Sequence, residues 1–176
     1  LFGVVTGVTI RLVPRTKVQR MVEVIAVRNL MPRIDVAIED GFVFGDCQYS
    51  IDLHGGEEFH PGVFSCYRPV PDDTPVPEET RQMAASDWAD LYRLARTNKG
   101  KAFAKYKQFY LGTSGQVYWS DAHQLSNVFE GYEAEVSTDQ GTEMITEVYV
   151  DRDSLVPFLT EVRQDFIRHG VDMTYG

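Results

Sequence analysis

Apolar and polar positions alternate near the start of the chain, with Val8, Ile10 and Leu12 set against Thr9, Arg11 and Val13. A period of two predicts a half-buried strand, and Pro14 ends it because proline cannot donate to a sheet ladder. Residues 18–27, "VQRMVEVIAV", read as a second strand. Residues 28–39 then place Leu30, Ile34 and Ile38 at helical spacing, with Pro32 tolerated near the first turn and Gly41 as the stop. Residues 42–52 and 62–70 are strand-like runs on either side of "LHGGEEFH", a hairpin.

The Pro- and acid-rich stretch 69–80 must be a loop. Ser86 and Asp87 offer a helix cap before Trp88, Leu91, Tyr92, Leu94 and Ala95. Phe103, Tyr106, Phe109 and Tyr110 mark a second helical segment whose rings pack against the first. Residues 143–150 read as a strand. Asp151 or Asp153 caps the next helix, whose apolar face is Leu155, Phe158, Leu159, Val162 and Phe166. Gly170 ends it, and "VDMTYG" begins a further strand.

From residue 18 the order is β-α-β-β, a helical insertion at about 71–140, then β-α-β. This predicts an α+β fold, an antiparallel sheet with helices on one face, as a variation on the ferredoxin-like sandwich. Centring the hairpin near Gly56 sets Gly45 opposite Arg68, Cys47 opposite Cys66 and Tyr49 opposite Phe64, a largely apolar face suited to lie under helices. Asp46 and Gln48 then share the other face with Tyr67, and Glu147 and Tyr149 are the polar alternates of the later strand. That face is either solvated or the roof of a ligand site.

Composition narrows the partners. The 176 residues suffice for one domain with a real core, and 43% hydrophobic with 24% charged residues is ordinary for a globular chain. A net charge of −9 argues against nucleic acid or an anionic membrane surface. No apolar run approaches the roughly 20 residues that span a bilayer, and no signal peptide is visible. Cys47 and Cys66 alone do not make a disulfide scaffold and read as free thiols of a cytoplasmic protein. His54 and His60 flank the hairpin without placed partners and read as loop residues, so no metal is expected.

The opening "LFGVVTGVTIRLVP" resembles the last strand of the flavin-binding domain in FAD-linked oxidases of the vanillyl-alcohol-oxidase type. "DGFVFGDCQYSID", "GVFSCYRPVP", "SGQVYWSDAHQLS" and "EMITEVYVDRDSLVPFL" resemble cap segments of bacterial FAD-binding oxidoreductases, so the likeness runs over nearly the whole chain. It implies that residues 1–17 are the C-terminal strand of a truncated FAD-binding domain and 18–176 the substrate-binding cap. Gly3, Val4, Val5 and Thr6 would then pass along the flavin, with Gly3 letting the backbone come close. FAD itself would be held mainly by the upstream domain of the same polypeptide, since no phosphate-cradling loop is present here. The activity implied is oxidation of a small organic substrate, an alcohol, amine or hydroxy acid.

Under that reading the substrate-contact candidates are Asp46, Gln48, Tyr67, Glu147 and Tyr149. Tyr118, Trp119 and His123 join them from the dense stretch "VYWSDAHQL", where aromatic walls accompany a titratable histidine. Trp119 serves equally as an anchor for the insertion. Arg68 points towards the helices in this register and pairs with an acid there. The competing class is a free-standing ferredoxin-like ligand-binding module without flavin, or one forming a homodimer through its open sheet face. A cofactor-independent monooxygenase would need a His or Asn poised in a closed pocket.

Overall fold

The computed structural model describes residues 6–55, 61–121 and 147–173. Strand β1 (Lys17–Ala26) alternates buried and half-buried positions over most of its length, because Val18, Arg20 and Val22 point one way while Met21 and Ile25 point the other. A 3₁₀ turn leads into α1 (Leu30–Glu39), which lays Leu30, Ile34 and Ala37 on Met21, Ile25, Phe64 and Cys66. Pro32 sits in the first turn, where its missing N–H costs nothing, and Gly41 leaves the helix at a φ of 84°.

Strands β2 (Phe44–Tyr49) and β3 (Pro61–Pro69) form the expected hairpin, slid by two residues from the sequence reading. Gly45 meets Cys66 rather than Arg68, and Tyr49 meets Gly62 rather than Phe64. The glycines account for the slide. A Cβ on Gly45 would lie 2.5 Å from the Ser65 carbonyl, and one on Gly62 would lie 2.5 Å from the Cys47 sulfur. An even slide exchanges partners and leaves every side chain on its face. The facial assignment therefore stands while the pairing is corrected.

The four antiparallel strands lie in the order β2-β3-β1-β4, where β4 (Val117–Trp119) pairs with Lys17–Gln19 of β1. With four helices among the described residues this is an open-sheet α+β architecture. Helices α2 (Ala85–Thr97) and α3 (Lys99–Leu111) follow β3 as an antiparallel hairpin. The cap differs from the expected one: Ala84 is the N-cap residue, and Asp87 accepts a hydrogen bond from its N–H at 3.2 Å. Asn98 caps α3 by accepting from Lys101 N–H at 3.0 Å. Helix α4 (Leu155–His169) ends at left-handed Gly170, and its Leu155 joins the core beneath α1.

Three expectations are corrected. Helices do not lie on one face only, because the α2–α3 hairpin packs over the face opposite α1, where Val63, Ser65 and Tyr67 of β3 are all buried. Residues 6–16 form no strand, since no strand among the described residues pairs with them, and Leu12 is 88% exposed. Residues 147–150 and 171–173 also belong to no strand; 143–146 and 174–176 lie outside the described residues. Among the described residues no helix is long and apolar enough to cross a membrane.

Candidate functional site

The sheet face that carries the α2–α3 hairpin gathers Arg20, Gln48, Tyr67 and Tyr118 on three strands and a short fourth, with Asp46 exposed on the same face at the edge strand. Their common side follows from pairing: Arg20 opposes Tyr67, which opposes Phe44, and Val18 opposes Tyr118. Phe44 stacks on Tyr67 with ring centroids 4.7 Å apart, walling the outer end of the face.

Arg20 is the organising residue, 4% exposed. Its Nε donates to the Tyr67 hydroxyl at 2.7 Å and its Nη1 to Thr113 Oγ1 at 3.0 Å, while Thr113 donates onward to the Tyr110 carbonyl at 2.7 Å. The guanidinium lies 4.8–5.3 Å from the centroids of the Tyr118, Tyr67 and Tyr110 rings. Three aromatic faces and two hydroxyls replace much of the water that this cation loses. Its signal in the sequence is an arginine between Val18 and Val22 on the buried parity of β1, a charge where the period of two calls for an apolar residue.

Partial desolvation by its neighbours raises the Asp46 carboxyl above its ordinary value, although its side chain stays exposed on the edge strand, and the charge of Arg20 draws it back in part. Burial likewise raises the Tyr67 and Tyr118 hydroxyls, so both are neutral donors at physiological pH. On the opposite face burial pushes the Cys47 thiol up to about 12 and the Cys66 thiol to about 11. Both cysteines are free and, as neutral thiols, poor nucleophiles.

Two hollows border the site. A narrow slot of about 50 Å³ runs between Gln48, Tyr49 and Ile51 and the hairpin, where Trp88, Leu91, Tyr92, Ala95, Ala102, Phe103 and Tyr106 line it. Its lining is apolar and aromatic, with Gln48 as a polar residue in the wall. A wider cleft of about 300 Å³ opens between α1 and β2, over Ile34, Ile38, Phe42 and Phe44.

The other sequence candidates do not join this cluster. Trp119 lies on the α1 side, with Arg15 4.2 Å above its ring. Glu147 and Tyr149 are exposed, and the Tyr149 hydroxyl donates to Glu147 at 3.1 Å. Tyr149 keeps 91% of its surface in water. Arg68 donates to Gln19 at 3.0 Å and lies 5.4 Å over the Phe42 ring, and among the described residues it pairs with no acid. Gly3, Val4, Val5 and His123 lie outside the described residues, as does His60. Thr6 is exposed on irregular backbone, and nothing lies within 4 Å of where a Gly7 Cβ would stand. The described residues thus supply no cradle for a dinucleotide by themselves. Among them no three metal-ligating side chains converge.

No family model, no curated protein and no solved structure matches this chain.

Proposed function

We propose that the chain is the substrate-binding cap portion of an FAD-dependent oxidoreductase that oxidises a small organic substrate. The observation that carries this reading is one sheet face with Asp46, Gln48 and Tyr67 on neighbouring strands, bordered by an aromatic slot. The strand order β2-β3-β1-β4, with α1 crossing between β1 and β2, supports a ferredoxin-like cap, and the α2–α3 hairpin supports its helical insertion. In this reading FAD would be held by the domain that the opening segment resembles and would supply the hydride acceptor.

The role of this chain's own residues is to hold and orient. The slot takes an apolar part of the substrate, and the Gln48 amide fixes its orientation through a hydrogen bond. Tyr67 is held by Arg20 and keeps the face rigid at its outer end. Two free thiols fit a reducing compartment, which favours the cytoplasm.

The slot is built within this chain, and that favours a second reading, a free-standing binding module without flavin. One experiment separates the two. The protein from its complete reading frame is purified and its visible absorption recorded beside that of this 176-residue chain. A flavin spectrum in the long form supports the cap reading. A long form that stays colourless, and gains no spectrum with added FAD, removes it in favour of the binding module.

A further inference from the structure

The α2–α3 hairpin is built as a body of its own. Met83, Trp88, Leu91 and Tyr92 pack with Tyr106, Phe109 and Tyr110 in a cluster separate from the sheet's cores. Lys105 ties the two helices together through Asp90 at 2.7 Å and Asp87 at 3.5 Å. Its entry and exit are joined too, since Arg81 donates to the Gly112 carbonyl at 3.3 Å. A body with its own core and cross-links moves as a unit when its attachments yield.

Those attachments differ in strength. At the root the exit segment is bound to β1 by Arg20 on Thr113, by Val22 N–H on Ser114 Oγ at 3.1 Å and by Gly115 N–H on the Arg20 carbonyl at 2.8 Å. At the tip, among the described residues, the hold is a small apolar cluster and one lysine. Ile51 touches the small side chains of Ala95 and Ala102, with Met173 alongside. Lys99 closes the arrangement by donating to Asp172 at 2.8 Å and to the Met173 carbonyl. Asp172 is largely exposed, and an ion pair in water holds weakly. The aromatic slot lies between the sheet and this end of the hairpin.

We infer that the α2–α3 hairpin is a lid, pivoting at its Arg20-bound root and latched at its tip by Lys99 on Asp172 and Met173, whose release opens the slot. The lid depends on the proposed function only for the identity of what enters. Its motion is a property of this chain.

Hydrogen exchange on the chain tests it. Amides of α2 and α3 exchange as one block, at least ten-fold faster than those of β1 and β3, when the hairpin opens ahead of the sheet. Asp172→Asn raises the exchange rate of the hairpin roughly two- to five-fold, the size of a surface ion pair, and leaves the sheet unchanged. In a Trp119→Phe background the remaining Trp88 reports the slot, and acrylamide quenches its fluorescence more strongly once the latch is cut. Helices protected as well as the sheet overturn the lid, as does a latch variant identical to its parent in both measurements. Flavin takes no part in either, so a colourless full-length protein with an opening hairpin removes the oxidoreductase reading and keeps the lid.

Discussion

At the scale of single residues, the burial of Arg20 decides most. Two donors of its guanidinium and three ring faces are spent on holding it, and each partner is itself buried or half-buried. Arg20→Met keeps most of the aliphatic stem and removes the two donors that the Tyr67 hydroxyl and Thr113 Oγ1 accept from. The expected loss is about 1–3 kcal/mol in urea unfolding, from the cost of unsatisfied buried groups. Arg20→Lys retains the charge without the planar fork and falls between the two. Asp46 acts in the other direction. A carboxyl raised above its ordinary 3.8 by partial desolvation favours the folded state only while it is protonated. That contribution is complete below the unfolded value and is lost as pH rises through the folded one. Asp46→Asn, which mimics the protonated group, therefore raises the unfolding midpoint at pH 7 and leaves it nearly unchanged below pH 3.8. The gain at pH 7 is small, since Asp46 keeps solvent contact along its strand.

At the scale of elements, periodicity located most of the fold. The spacing of Leu30 and Ile34, of Trp88, Leu91 and Ala95, and of Leu155, Phe158 and Val162 gave α1, α2 and α4 to within a few residues. The three-residue β4 was illegible, because so short a run has no period, and it is a strand only through its partner β1. The segment 6–16 shows the converse, an alternating pattern with no partner among the described residues. Hairpin register escaped for a similar reason. Symmetry about the turn suggested one pairing, while room for side chains beside Gly45 and Gly62 selects another. The two glycines predict different costs. Gly45→Ala drives a Cβ against the Ser65 backbone carbonyl, which cannot move aside, and costs about 1–3 kcal/mol. Gly62→Ala meets the rotatable Cys47 sulfur first, and the change in thermal midpoint is the smaller of the two.

For the whole molecule, the sequence placed Asp46, Gln48 and Tyr67 on a common face but left that face open. What closes it is the helical hairpin, and the aromatic series at Trp88, Tyr92 and Tyr106 serves both as the hairpin's packing and as a wall of the slot. No one-dimensional pattern distinguishes those duties, because a ring buried against its neighbours and a ring facing a narrow hollow have the same spacing. Tyr118 and Trp119 show the same limit, since adjacent residues on a strand must part to opposite faces however functional their stretch looks.

The position of Asp46 on β2 has one more consequence. Among the described residues β2 has a neighbour on one side only, and exposed Val43 and Phe44 lie at its outer end. An uncovered row of peptide groups beside apolar side chains is a template for edge-to-edge aggregation, and a charge within the row is the usual gatekeeper against it. An exposed carboxylate in that row works against one molecule zipping onto the next, so Asp46→Asn, whatever it does to the unfolding midpoint, is expected to lower solubility on concentration.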